Sequence, residues 1–352
     1  MQFYNYNNMN NGSFQNQYDY DLFAARKSEK RALWINASKL GALLLIYSML
    51  NNLMISLYYY IVYAYENHSV TLSYAKVIAY LQGQKELISS SLFIMLGNLF
   101  CVVLSLLITV LIACLAMKVN FSQMLKPEKK HIKQAAVWFP ACMAINSAVS
   151  VIVSFFTAFM GEMGITVPES DMSLSKPGAL VVTVQVLYVI IIGPIVEEFI
   201  YRGIILTLLK PFGKWLAVFT SALIFGLMHG NVPQAVSAFA GAIVFGLIAV
   251  KCNSIIPTII IHIANNFFAS YPDFSQVYDL PMWIYYGIMI IFMLAGVYVI
   301  FTKISELKIT KDTPSVLTSG QRYRIVFTNV FMIIYLALIL LTFVRSFYYA
   351  NM

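Results

Sequence analysis

Charge is scarce in this sequence. Asp, Glu, Lys and Arg together make up 11% of 352 residues, where a soluble domain carries roughly a quarter. With 60% hydrophobic residues and a mean hydropathy of +0.76, the chain reads as a protein that crosses a membrane several times. Cysteine is equally sparse: Cys101, Cys114, Cys142 and Cys252 lie in or beside hydrophobic segments with no CxxC spacing, which argues against a disulfide framework and a zinc ribbon. There is no repeat of fixed period, no glycine-rich phosphate loop, no HExxH pair and no polar stretch that reads as a soluble domain. The net charge of +8 does not imply nucleic acid, because the basic residues collect in short segments between apolar runs, the pattern that sets membrane topology.

What is present is a series of apolar runs. The sequence opens with Asn and Gln interleaved with Tyr and Phe through Gln17, a composition that buries no core and predicts a disordered cytoplasmic tail over residues 1–35. The first apolar run that follows is too long for the core of a signal peptide, so a retained anchor and no cleaved leader are expected, with the mature chain starting near Met1. Nine candidate spans follow, at 40–64, 91–117, 136–160, 179–209, 214–230, 234–250, 254–270, 282–302 and 325–345, the fifth to seventh being short for the ~20 residues a crossing needs. The expected architecture is an all-α polytopic helix bundle, with N-terminal membrane helices over 36–178, a core over 179–270 and C-terminal membrane helices over 271–352. Arg26, Lys27, Lys30 and Arg31 precede the first span, five lysines lie between spans two and three, and five basic residues lie between spans eight and nine. The positive-inside rule then predicts a multi-pass cell-membrane protein with a cytoplasmic N-terminus and, for an odd count, an external C-terminus.

Against this background Glu197, Glu198 and Arg202 stand out, because they alone among the charged residues fall well inside an apolar run. An ionisable group in hydrocarbon costs several kcal/mol, and one kept there marks a candidate functional site. Helix geometry separates the two acids. Glu198 shares a face with Arg202, four positions on, and Glu197 points about 100° away. Glu198 is therefore expected to form a supporting ion pair, and Glu197 to be the group suited to general-base work. Two histidines also lie in apolar runs, His229 and His262, the latter sharing a helix face with Asn266, whereas Asn265 points away. Counting ~1.5 Å per residue from the lysine-bearing ends puts Glu198 about 16 Å deep, His229 about 22 Å, His262 about 12 Å and Asn266 about 18 Å. One slab on the cytoplasmic side of centre would then hold a base, two imidazoles and an amide, the groups needed to add water to a carbonyl. Taken singly, each has a plainer explanation: a structural ion pair for Glu198 and Arg202, polar contacts between helices for the histidines and Asn266.

Residues 197–202 (EEFIYR), 225–229 (FGLMH) and 262–266 (HIANN) resemble, in that order, the EExxxR, FxxxH and HxxxN signatures of the CAAX-protease and bacteriocin-processing family of intramembrane endopeptidases. That family includes the enzymes that remove the last three residues of prenylated proteins, and bacterial members are linked to bacteriocin immunity, leader-peptide cleavage and maturation of signalling peptides. The resemblance implies that Glu197 and His229 activate water, that His262 and Asn266 stabilise the oxyanion, and that Glu198 and Arg202 support them. The expected function is a cytoplasm-accessible endopeptidase of glutamic type acting on a peptide or lipid-anchored protein at the bilayer. No cofactor is favoured; zinc on Glu197, His229 and His262 is the alternative. The alternative function is a non-catalytic immunity factor or a proton-coupled small-solute transporter, against which stands the lack of inverted-repeat halves with paired broken helices.

Overall fold

The computed structural model describes residues 17–88, 90–168, 179–309 and 312–352, and among these there is no strand. The chain begins with α1 (Gln17–Asn67), which at 51 residues is ~77 Å long, more than twice the ~30 Å of a hydrocarbon core. The expected tail therefore changes. Residues 1–16 lie outside the described residues, while 17–35 are the first turns of α1. They are rich in Ala, Arg, Lys, Glu and Leu, good helix formers, with no proline or glycine. They are also anchored, since Glu29 accepts a hydrogen bond from the Val316 amide at 2.9 Å and Leu33 is fully buried.

Two short helices, α2 (Tyr74–Gly83) and α3 (Lys85–Ile88), lead into α4 (Ser91–Met117) and α5 (Lys129–Glu162). Next comes α6 (Leu180–Phe212), then α7 (Lys214–Leu227), α8 (Val232–Cys252), α9 (Ile256–Ala269) and α10 (Tyr271–Tyr278). The chain ends with α11 (Met282–Lys303), α12 (Ser319–Phe327) and α13 (Val330–Ala350). Seven helices among the described residues are long and apolar enough to cross a membrane, where nine spans were expected. The difference lies in α7 and α9, 14 residues each, which reach only ~21 Å.

The reason α7 stops early is local. Gly230 takes a positive φ of 72°, a conformation glycine adopts without strain. Asn231 then caps α8 by accepting the Gln234 amide at 2.9 Å, and Pro233 fits the first turn. The last span also shifts. Asn329 accepts the Phe331 amide at 3.1 Å, so α13 starts at Val330 and the preceding basic residues form the separate helix α12.

Packing follows the logic of a bilayer, where apolar faces gain little from meeting each other and close backbone approach matters more. A Cβ on Gly226 of α7 would sit 2.7 Å from the Ala235 carbonyl of α8, and one on Gly41 of α1 would sit 2.7 Å from the Met332 amide of α13. Helices α8, α9 and α11 pack on α5, and α1 packs on α4 and α13. The bundle has two chemically distinct ends. At the basic end, Lys210 donates to Asn253 at 2.8 Å, Lys251 pairs with Glu306 at 3.3 Å, Ser254 donates to the Met124 carbonyl at 2.8 Å and Arg26 reaches Gln321 at 3.4 Å. At the far end, Asn351 exchanges hydrogen bonds with the Thr166 backbone at 2.8 and 2.9 Å, and Gln185 reaches Asp273 at 3.4 Å.

Candidate active site

The site is organised by α6, whose hydrogen-bond register changes around it. Residues Val186–Ile192 and Phe199–Ile205 are π-helical, and the α-helical turn Gly193–Glu198 lies between them. Pro194 accounts for the first of these segments. Gly193 donates its amide back to Tyr188, five residues earlier, and residue 194 has no N–H to give, so the Val189 carbonyl is left open. Asn266 of α9 fills that position, donating its Nδ2 to Val189 O at 2.9 Å.

Glu198 and Arg202 form the expected pair, Oε1 to Nη1 at 2.8 Å, with both side chains fully buried. Arg202 lies against the rings of Phe225 and Phe245, 4.7 and 5.2 Å from their centroids, so its charge has a carboxylate and two aromatic faces in place of water. Breaking such a pair from one side leaves an uncompensated buried charge, at a cost of about 3–5 kcal/mol.

His262 joins the two acids that helix geometry had separated. Its Nδ1 lies 3.0 Å from Glu198 Oε1 and its Nε2 lies 3.5 Å from Glu197 Oε2, the second distance being longer than a direct hydrogen bond. Glu197 is the more open of the acids, with 23% of its side chain exposed against none for Glu198. His229 follows the last turn of α7, and its Nδ1 meets the Phe225 carbonyl at 2.9 Å. A carbonyl only accepts, so that contact places the proton on Nδ1 and leaves Nε2 as the basic nitrogen.

Glu197, His229, His262 and Asn266 line one cavity of about 780 Å³, while Glu198 and Arg202 are absent from its lining. Asn265, set aside on helix-face grounds, lines it as well. Its Nδ2 donates to Asn266 Oδ1 at 3.3 Å, and its Oδ1 accepts from Asn146 Nδ2 of α5 at 2.9 Å. A rotation of about 100° does not remove a side chain from a site when the neighbouring helix supplies its partner. Asn146 itself went unremarked; a lone amide in the middle of the run 136–160 was the signal that pointed to it. It reaches this position because Gly241 of α8 has no Cβ, which would sit 2.9 Å from Asn146 Oδ1.

Among the described residues no group of three His, Cys, Asp or Glu side chains is gathered to hold a metal ion, and His262 Nδ1 faces Glu198.

All six motif residues fall in one stretch that resembles a known family. Residues 179–268 match the model of the Type II CAAX prenyl endopeptidase Rce1-like family. The match spans 90 of 352 residues and agrees with the family that the three signatures resemble. No curated protein and no solved structure matches the chain. The long apolar helices make this a multi-pass membrane protein, and its segment 179–268 is similar to the CAAX-type intramembrane proteases.

Proposed function

We propose that this protein is an intramembrane endopeptidase of glutamic type, hydrolysing a peptide bond of a membrane-associated peptide or protein with water activated by Glu197 and His229. The observation that carries this is the division of the polar groups. The four side chains with catalytic chemistry share one cavity, and the ion pair that supports them is sealed behind it. Glu197 accepts a proton from water with His229 Nε2 orienting it, and the resulting hydroxide adds to the carbonyl carbon. The oxyanion takes hydrogen bonds from the second N–H of Asn266 and from the ring of His262, which Glu198 holds in place. Glu197 then passes its proton to the amide nitrogen as the C–N bond breaks.

The lining also bears on substrate class. Among the described residues none that lines the cavity is a lysine or arginine, and Glu197 is the acid there. A free carboxylate about 6 Å from Glu197 would be opposed by about 3 kcal/mol at an effective dielectric of 20. The cavity therefore favours a bond flanked by uncharged residues over one next to a free C-terminal carboxylate. Purified protein in lipid with Glu197→Gln as the control tests the function. Cleavage by the wild type that is lost in the variant supports a protease. Ligand binding that survives the substitution, without cleavage, supports the immunity or transport alternative.

A further inference from the structure

The catalytic cavity is closed towards one end of the bundle and extends towards the other. On the side of the basic end it stops at Phe225 and Phe245, 4% and 3% exposed, whose rings hold Arg202. In the opposite direction its lining follows the helices outward. Ser150 of α5 is ~26 Å along the axis from Lys133, Ser237 of α8 ~21 Å from Lys251, Ala269 of α9 ~22 Å from Ser254 and Tyr286 of α11 ~26 Å from Lys303, at 1.5 Å per residue. Four helices thus contribute the halves that point away from the basic end. Depth counted from the basic end places the catalytic groups near the middle of a ~30 Å core, and this lining places the route to them on the far side.

Charge then assigns that side. Among the described Lys and Arg residues, the segments at the far end hold Lys76, Lys85 and Arg345, and Arg202 is buried in the bundle; the others lie at the basic end. A bias of that size marks the basic end as cytoplasmic.

We propose that the cavity is entered from the extracytoplasmic face, so that the substrate presents its bond on a segment already translocated or anchored in the outer leaflet. This reverses the cytoplasmic access expected from depth along the spans. For its chemistry it rests on the protease function proposed above; for its sidedness it rests on charge and cavity shape alone.

The test is labelling by a membrane-impermeant maleimide of the full chain, first freed of its four cysteines. Single cysteines are introduced as Ser150→Cys and Ser237→Cys in the cavity, with Ser69→Cys at the far end and Ser122→Cys at the basic end as references. In intact cells Ser69→Cys and both cavity variants are expected to label, and Ser122→Cys only in inverted vesicles. Cavity variants that label with Ser122→Cys, or from neither side, overturn the proposal, as does Ser122→Cys labelling in intact cells. Two cavity positions guard against one misfolded variant. Because the readout is access, the expected pattern without any peptidase activity would count against the protease function and leave the sidedness standing.

Discussion

Asn266 donates its side-chain amide to the main-chain carbonyl of Val189 at 2.9 Å. The carbonyl is open because residue 194 is proline, so a backbone defect in α6 holds a side chain of α9 in the cavity. Pro194→Ala supplies the missing N–H and competes for Val189 O. With a net hydrogen bond worth about 1 kcal/mol, the catalytic rate is expected to fall about fivefold, with the melting temperature held or raised. Turnover measured beside thermal unfolding checks this, and a melting temperature that falls with the rate would contradict it.

The two glutamates are expected to separate by phenotype. Glu198→Gln leaves Arg202 without its charge partner and should lower stability by about 3–5 kcal/mol. Glu197→Gln alters a partly open side chain and should leave unfolding nearly unchanged while activity falls about 10²–10⁴-fold. Replacing both members of the pair, as Glu198→Gln with Arg202→Met, should recover much of the stability lost in the single variant. Denaturation in detergent decides it, with equal losses in both single glutamate variants as the contrary result.

The amide chain Asn146–Asn265–Asn266 predicts coupling. Asn265→Ala frees Asn266 Oδ1, and Asn146→Ala frees Asn265. Each should lower kcat about tenfold with little change in KM, since a positioning loss of about 1–1.5 kcal/mol acts in the transition state. The double variant should cost no more than the worse single one. Fully multiplicative losses would show that the two asparagines act separately.

Much of this was legible in the sequence, and the remainder has identifiable causes. The Glu198–Arg202 pair followed from spacing alone, because an α-turn puts residues four apart in contact whatever surrounds them. The span 91–117 coincides with α4, whose ends are set by the Ser90 cap and the left-handed Lys118. By contrast, the π register of α6 is a matter of hydrogen-bond partners, which a pattern of apolar residues does not record. Pro194 was its one visible mark. Asn265 and Asn146 were missed for a related reason: face arguments treat each helix alone, and these side chains are placed by one another across α5 and α9. The shortness of α7 and α9 depends on turns, at Gly230 and before Pro272, that sit inside apolar sequence.

Substrate charge offers a further check. Peptides that differ only in a free or amidated C-terminus close to the cleaved bond should be cut unequally, the amide faster by about 10²-fold if 3 kcal/mol of repulsion is realised. Faster cleavage of the free acid would mean that a cation reaches the cavity from elsewhere.

The most direct measurement of the central claim is cleavage of membrane-anchored peptides by purified wild-type and Glu197→Gln protein in lipid, read by mass spectrometry with and without a chelator. The wild type is expected to make a defined cut that persists in chelator and falls at least about 10²-fold in the variant. Undiminished cleavage by Glu197→Gln, or wild-type cleavage abolished by the chelator, would contradict it.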